Sequence, residues 1–394
     1  MTDSFKGGTI MNMSYTQEKL EIEQIFNDIF KSPDKNINKL SDWIDKFPKD
    51  NFSPQQKAIY EAIKHPDHPY RPYIRKIIND VDPYIIKTLT SNLFVNALLT
   101  GCPKGNELRA KYNCNIPGII FLEPTSACNL RCVECRVNES KHVFNLTYKE
   151  LDDIICQGKE LGVYFYIYTG GEPLVRKKDL IRLCEKHSDC IFICFTNATL
   201  IDVKFANEIL RVGNFIPVIT LEGYEEATDE FLENDIYQKV IKATALTLLR
   251  EKKLIYGISC CYTNKNYEYI TSEEFYDSLI EMGTYFVWYF HYIPSENDAE
   301  PELIPSHKQQ TGVYETIHYY RATKPILTLD FLNDTKYANT YTTDNYHYLH
   351  INANGDIDPC VFIHESDSNI REKTLLEALQ SPLLRTYHST TNVH

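Results

Sequence analysis

The sequence predicts an α/β protein: a partial (βα)6 barrel with a helical region before it and a short α+β tail after it. Two observations carry this reading. From Gly118 to Ile293, short apolar runs of strand length alternate with amphipathic segments of helix length, the pattern of repeated βα units on a parallel sheet. Before that stretch apolar residues recur at three-to-four spacing, and after it the texture turns irregular around one hairpin signal. The expected divisions are a helical region over 1–112, the partial barrel over 113–323 and an α+β extension over 324–394.

In the first region the helical period is clearest in KLEIEQIFNDIF and YIIKTLTSNLFVNALL, and prolines at 33, 48, 54, 66, 69, 72 and 83 cut it into short helices. Six strand-like runs follow: GIIFLEPT (118–125), VYFYIYTG (163–170), CIFICFT (190–196), FIPVITLEG (215–223), LIYGISCCYT (254–263) and YFVWYFHYI (285–293). Helix-like segments near 147–161, 177–187, 202–212, 236–252 and 272–282 separate them, and a sixth near 307–321 completes the wall. Right-handed βα units of this kind place an active site at the carboxyl ends of their strands. In the tail, HYLHINANGDIDPCVFI reads as a hairpin with Asn354-Gly355 in the turn, followed by a helix around 373–380.

Composition narrows the function. The 394 residues carry 41 basic and 54 acidic side chains, a net charge of −13, with 43% hydrophobic and 12% aromatic residues. That supports a large core and excludes a disordered chain or a small disulfide scaffold. The acidic balance argues against binding nucleic acid through its phosphates, which needs a basic face. No secretory h-region and no run long enough to span a bilayer is visible, so the expected setting is cytoplasmic and the expected partners are small molecules or proteins. In a reducing compartment the twelve cysteines are not a disulfide framework, which leaves metal binding as the leading use of some of them.

Directly after the first strand, EPTSACNLRCVECRV sets Cys128, Cys132 and Cys135 in a CxxxCxxC arrangement on a loop. Three thiolates on so short a loop can converge on one iron–sulfur cube and leave one iron open, whereas tetrahedral zinc calls for a fourth protein ligand that the segment lacks. A structural zinc site or idle thiols are the competing readings.

This arrangement resembles the radical S-adenosylmethionine (radical SAM) enzymes, which carry CxxxCxxC in the loop after a barrel's first strand. The second strand ends in Thr169-Gly170-Gly171-Glu172-Pro173, similar to the family's GGEP motif, whose backbone and glutamate hold the amino group of the methionyl moiety. The third strand runs into Thr196 and Asn197 and the fourth into Thr220, Leu221, Glu222 and Gly223, resembling the polar strand ends that line the ribose and methionyl parts. The resemblance covers roughly 118–295, and NLTYKELD and INANGDIDPCVFIH look like one uncharacterised anaerobe-type branch. GDIDPC also resembles the start of the twitch or SPASM-type extensions that carry auxiliary clusters in relatives.

The resemblance implies a TIM-like partial barrel and an enzyme of oxidoreductase or transferase type. A [4Fe–4S] cluster would sit on Cys128, Cys132 and Cys135, and S-adenosyl-L-methionine on Gly170, Gly171, Glu172, Thr196, Asn197, Thr220 and Glu222. It further implies reductive cleavage of S-adenosylmethionine, hydrogen abstraction from a peptide, lipid or small-metabolite substrate, and an electron donor such as flavodoxin or ferredoxin. A barrel that binds cluster or cofactor without chemistry, as a scaffold, is the alternative.

The chain departs from the family pattern at several places. Glu134 precedes the third cysteine where an aromatic or small residue is usual, and ATDEFLEND after the fourth strand lacks an arginine, leaving Arg176 or the iron to meet the methionyl carboxylate. Tyr341 stands where related chains carry a cysteine ahead of the hairpin, so a complete auxiliary cluster is not expected. Cys190 and Cys194 lie about 13 Å apart along a regular strand and read as core thiols. Cys360 and His364 share that spacing, and Cys260 and Cys261 point to opposite faces of theirs. Cys102, Cys114, Cys156 and Cys184 read as packing residues, Arg176, Lys177 and Lys178 as a solvated helix start, and YFVWYFHYI as barrel lining.

Overall fold

The computed structural model describes residues 6–46, 60–68, 70–130, 142–221, 245–294, 301–331, 348–362 and 365–390. Cys132, Glu134, Cys135, Glu222, Tyr341 and His364 lie outside them. The six expected runs contain β1 (Ile119–Leu122), β2 (Phe165–Tyr168), β3 (Ile191–Thr196), β4 (Phe215–Thr220), β5 (Gly257–Tyr262) and β6 (Phe286–His291). Each pairs in parallel with the next. Their burial is near continuous, with only Ile119 in β1 and Phe195 in β3 short of full burial, because helices cover one face and the barrel interior the other.

The sheet runs further than the six units read from sequence. After the helix His307–Thr323, β7 (Leu327–Asp330) pairs in parallel with β6. The hairpin expected around Asn354-Gly355 forms, with β8 (Tyr348–Ile351) antiparallel to β9 (Ile357–Asp358) and Gly355 at φ +85°. It is not a separate appendage, however. β8 lies parallel to β1, giving one nine-stranded sheet in the order β7-β6-β5-β4-β3-β2-β1-β8-β9.

Ring contacts show that the sheet is rolled. Phe195 on β3 lies 5.5 Å from Trp288 and 5.6 Å from Phe290 on β6, although two strands separate them in the sheet. Phe331, just past β7, lies 5.9 Å from Phe121 on β1 and 5.2 Å from Tyr348 on β8. Only a curled sheet brings such rings together, and they fill its interior, which makes Trp288 and Phe290 of β6 barrel lining, while Tyr289 between them packs outward on Tyr276 and Ile270.

The helices start and stop where the local chemistry dictates. Thr147 and Glu150 form a capping box ahead of Tyr148–Leu161, which Gly162 closes in the left-handed region. Asp202 and Ser272 cap Val203–Val212 and Glu273–Glu281 through the backbone N–H groups of Phe205 and Phe275. Among the described residues no helix is long and apolar enough to cross a membrane.

The N-terminal helices meet the barrel at the amino ends of its strands. Asn92 Nδ2 donates to the carbonyls of Ser188 and Cys190 at 2.8 and 2.9 Å, and Asn96 Nδ2 to that of Asp189 at 2.8 Å, all just before β3. The Asp82 N–H donates to Lys253 ahead of β5 at 2.9 Å, and Lys76 Nζ to Thr284 ahead of β6 at 3.3 Å. Gly101 packs so closely on Gly162 that an added Cβ would stand 2.2 Å from its carbonyl oxygen. The carboxyl ends of the strands are left for chemistry.

Candidate active site

The loop after β1 begins with Thr125, whose hydroxyl accepts from the Ala127 N–H at 3.0 Å. Cys128 is half-buried, and its Sγ accepts from the Leu130 N–H at 3.4 Å. An N–H donated to sulfur stabilises thiolate character and is one of the levers by which a protein sets a cluster's potential. Cys128, half-buried and accepting an N–H, suits the ligand role that the sequence implies for it.

The turn after β2 lies directly against that loop. Gly171 N–H donates to Thr125 O at 3.0 Å and Glu172 N–H to Ala127 O at 2.9 Å. A Cβ on Gly171 would stand 2.3 Å from Ala127 O, and one on Gly170, at φ +108°, 2.8 Å from Thr125 O and 2.9 Å from Glu123 Cβ. Both glycines are therefore demanded by the close approach of two backbones.

Glu172 is 2% exposed. Its Oε1 accepts from Leu174 N at 2.9 Å and Thr196 Oγ1 at 2.8 Å, and its Oε2 from Asn197 N at 2.9 Å. Burial raises its pKa above the usual carboxylate value, and these three donors offset part of that effect. The carboxylate thus joins the end of β2 to the end of β3. Asn197 Nδ2 donates to Asn129 Oδ1 at 3.2 Å and Asn129 Nδ2 to Thr199 Oγ1 at 2.7 Å, which ties the cysteine loop to β3 as well. Ala198, between Asn197 and Thr199, is held at φ 63°. Non-glycine residues seldom adopt that conformation, and such strain gathers at functional sites.

Cys128, Gly170, Gly171, Glu172, Thr196 and Asn197 are therefore brought together. Thr220 ends β4 one strand further round, with Ser259 Oγ 3.4 Å from its hydroxyl.

Arg176 does not play the part considered for it. Its Nη1 donates to Pro124 O at 3.1 Å and Leu146 O at 2.8 Å, and its Nε and Nη2 to Asp179 Oδ2 at 2.9 and 2.6 Å. It closes the mouth of the cysteine loop by holding both ends, instead of meeting a methionyl carboxylate or standing as a solvated helix start. Lys177 likewise donates to Asp202, at 2.7 Å.

Sequence reasoning also missed Glu123, His350 and Asp358, which form a buried chain at the carboxyl end of β1. The only outward sign was a glutamate in EPT and a histidine in HYLHIN. His291, at the carboxyl end of β6, is kept neutral, its pKa lowered by burial to about 4. Cys184, Cys190, Cys194 and Cys260 are buried, and Cys261 is half-exposed, as strand alternation requires. Among the described residues Asp152, Cys156 and His187 also place potential ligand atoms together, but on the outer helices, where Lys186 Nζ already sits 2.6 Å from Asp152 Oδ2. An apolar cavity of about 300 Å³ lined by Ile29, Leu40, Ile74, Phe94 and Ile255 lies at the amino-end side of the barrel, away from the cysteine loop.

The site is thus a rolled parallel sheet with a cysteine loop after its first strand and a Gly-Gly-Glu turn packed on the start of that loop. Residues 122–270 match the profile of the Radical SAM superfamily, whose enzymes use a [4Fe–4S] cluster and S-adenosylmethionine.

An uncharacterised protein of Methanocaldococcus jannaschii is 30% identical over 185 residues, 42% of this chain and 59% of that one. A GTP 3′,8-cyclase of Desulforamulus reducens is 29% identical over 149 residues, 35% and 45% of the two chains. An AdoMet-dependent heme synthase of Methanosarcina barkeri is 24% identical over 199 residues, 49% and 56% of the two. The chain thus spans about half the length of these relatives.

Among solved structures, Streptococcus suis SuiB bound to S-adenosylmethionine aligns with a TM-score of 0.56 at 21% identity, over 74% of this chain and 72% of that one. The protein anSMEcpe with bound AdoMet and Cp18Cys peptide aligns with a TM-score of 0.57 at 18% identity, over 71% and 84%. These likenesses show the shared fold.

Proposed function

We propose that this chain is a radical SAM enzyme acting on a peptide, with a small metabolite or a lipid as the other substrate classes open to the same chemistry. Cys128, Cys132 and Cys135 would hold the cluster, and Gly170, Gly171, Glu172, Thr196, Asn197, Thr220 and Glu222 the S-adenosylmethionine. When bound, these groups supply one-electron reductive cleavage of the sulfonium and so a hydrogen-abstracting radical. The chain's own part is to present the turn after β2 to the methionyl end, to orient it through the Glu172 network, and to keep water out with the Phe195, Trp288 and Phe290 rings. The carrying observation is that Gly171 and Glu172 are hydrogen-bonded onto Thr125 and Ala127, at the root of the cysteine loop. The peptide preference is supported by likeness to SuiB, solved also with precursor peptide SuiA, and to anSMEcpe with its peptide. The setting is the cytoplasm, with a flavodoxin or ferredoxin as electron donor.

Anaerobic reconstitution tests the reading. We expect about four irons and four sulfides per chain, and release of 5′-deoxyadenosine when S-adenosylmethionine and a reductant are added. Alanine at Cys128, Cys132 and Cys135 together should abolish both. Wild-type iron content in that variant, or a full cluster with no 5′-deoxyadenosine, would reject the assignment.

A further inference from the structure

Two buried ionisable groups, His350 and Asp358, and the partly buried Glu123 stand outside the chemistry above. His350 on β8 is 1% exposed, with Nδ1 3.0 Å from Asp358 Oδ2 on β9 and Nε2 3.2 Å from Glu123 Oε1, one residue past β1. Glu123 Oε2 also lies 3.3 Å from the Ala353 N–H, and the Glu123 N–H donates to Ile351 O at 2.9 Å. The hairpin is thus fastened to the end of β1 by contacts that converge on Glu123. Beside Thr125 O at 2.8 Å, its Cβ at 2.9 Å is one of the two atoms that a side chain on Gly170 would strike. Two residues further on is Glu172.

An imidazole with a carboxylate on each nitrogen satisfies both only as the imidazolium, which donates at both ends. Neutral, it turns a lone pair toward one of the carboxylates. Buried charge of this kind is a poor source of stability when a packed apolar trio would serve, so its presence calls for another role.

We propose that His350 is a positioning residue for S-adenosylmethionine binding, holding Glu123 in the place on which the Gly170–Glu172 turn rests. This makes the C-terminal hairpin a working part of the cofactor site, and it rests on the radical SAM reading above. Among the described residues the charged groups bonded to His350 are Glu123, at the end of β1, and Asp358 on β9. Burial alone would lower its pKa, but the bonds to Asp358 and Glu123 outweigh that and raise it to about 9. The unfolded value is about 6.5. The clamp's contribution to stability is therefore complete below about pH 6.5, and in the folded protein the clamp itself is lost as pH rises through about 9.

The test is His350→Gln in the full, anaerobically reconstituted chain, reading S-adenosylmethionine affinity, iron content and melting temperature from pH 6.5 to 10. We expect affinity about tenfold weaker than wild type at pH 7 with about four irons retained, and the gap between the two proteins closing above pH 9. Asp358→Asn, which keeps shape and removes charge, should show the same closing gap. Full iron with wild-type affinity, or a gap that stays constant with pH, would overturn the proposal. So would loss of iron and fold in both variants, which would assign the trio to folding alone. A wild-type protein that takes up no cluster would instead strike down the radical SAM reading beneath it.

Discussion

At the scale of single residues, Glu172 is the most exacting. A carboxylate offers only acceptors, and three protein donors already use both its oxygens. Glu172→Gln replaces one oxygen with an NH2 group that must face the Thr196 hydroxyl or a backbone N–H. We expect S-adenosylmethionine affinity to fall roughly 10- to 150-fold, about 1.5 to 3 kcal/mol, with iron content unchanged. A lower melting temperature with intact affinity would leave Glu172 as the cap of the turn after β2 and nothing more. Arg176 is tested differently. Arg176→Gln releases the carbonyls of Pro124 and Leu146 together, so iron should be stripped from the reconstituted protein by a chelator several times faster. An unchanged stripping rate would deny the loop-closing role.

At the scale of elements, the approach of the N-terminal helices to the barrel floor depends on Gly101. Gly101→Ala drives a methyl into the Gly162 carbonyl and should cost about 1 to 3 kcal/mol in denaturant unfolding, with S-adenosylmethionine affinity preserved because the site is at the other end. Lost affinity at unchanged stability would mean that the helices reach the site. The six strands were legible because a strand buried on both faces writes an unbroken apolar run. β7 was not, since it is four residues long and half-buried in alternation, close to what any loop shows. The hairpin was legible from Asn354-Gly355, but no local signal names the strand beside which a hairpin will lie, so its insertion next to β1 stayed hidden. The cysteine loop and the Gly-Gly-Glu turn were each contiguous and therefore readable. Glu123, His350 and Asp358 gain meaning only from a pairing across 227 positions. Arg176 was misread because a basic residue at a helix start looks the same whether it faces water or two carbonyls.

At the scale of the whole molecule, the strands' two ends divide the work: helices seal the amino ends, and the carboxyl ends assemble loops from β1, β2 and β3. The tail adds β7, β8 and β9 to this sheet. Cys360 is 6% exposed, and burial raises its thiol above the ordinary value, the environment of a packed thiol and not of a ready ligand. Cys360→Ala should therefore retain about four irons per chain. Wild type with eight, falling to four in the variant, would reveal a second cluster.

The placement of β8 also sets an order of events. Glu123 and His350 are 227 positions apart, so the strand that flanks β1 is made long after β1 itself. During synthesis β1 can pair with β2 at once, but its other side remains an unpaired edge until β8 is out of the ribosome. A contact of such long sequence separation is also slow to form, because the intervening chain must first surrender its freedom. The cysteine loop is thus born beside an unfinished sheet, and β8, made long after it, completes its surroundings.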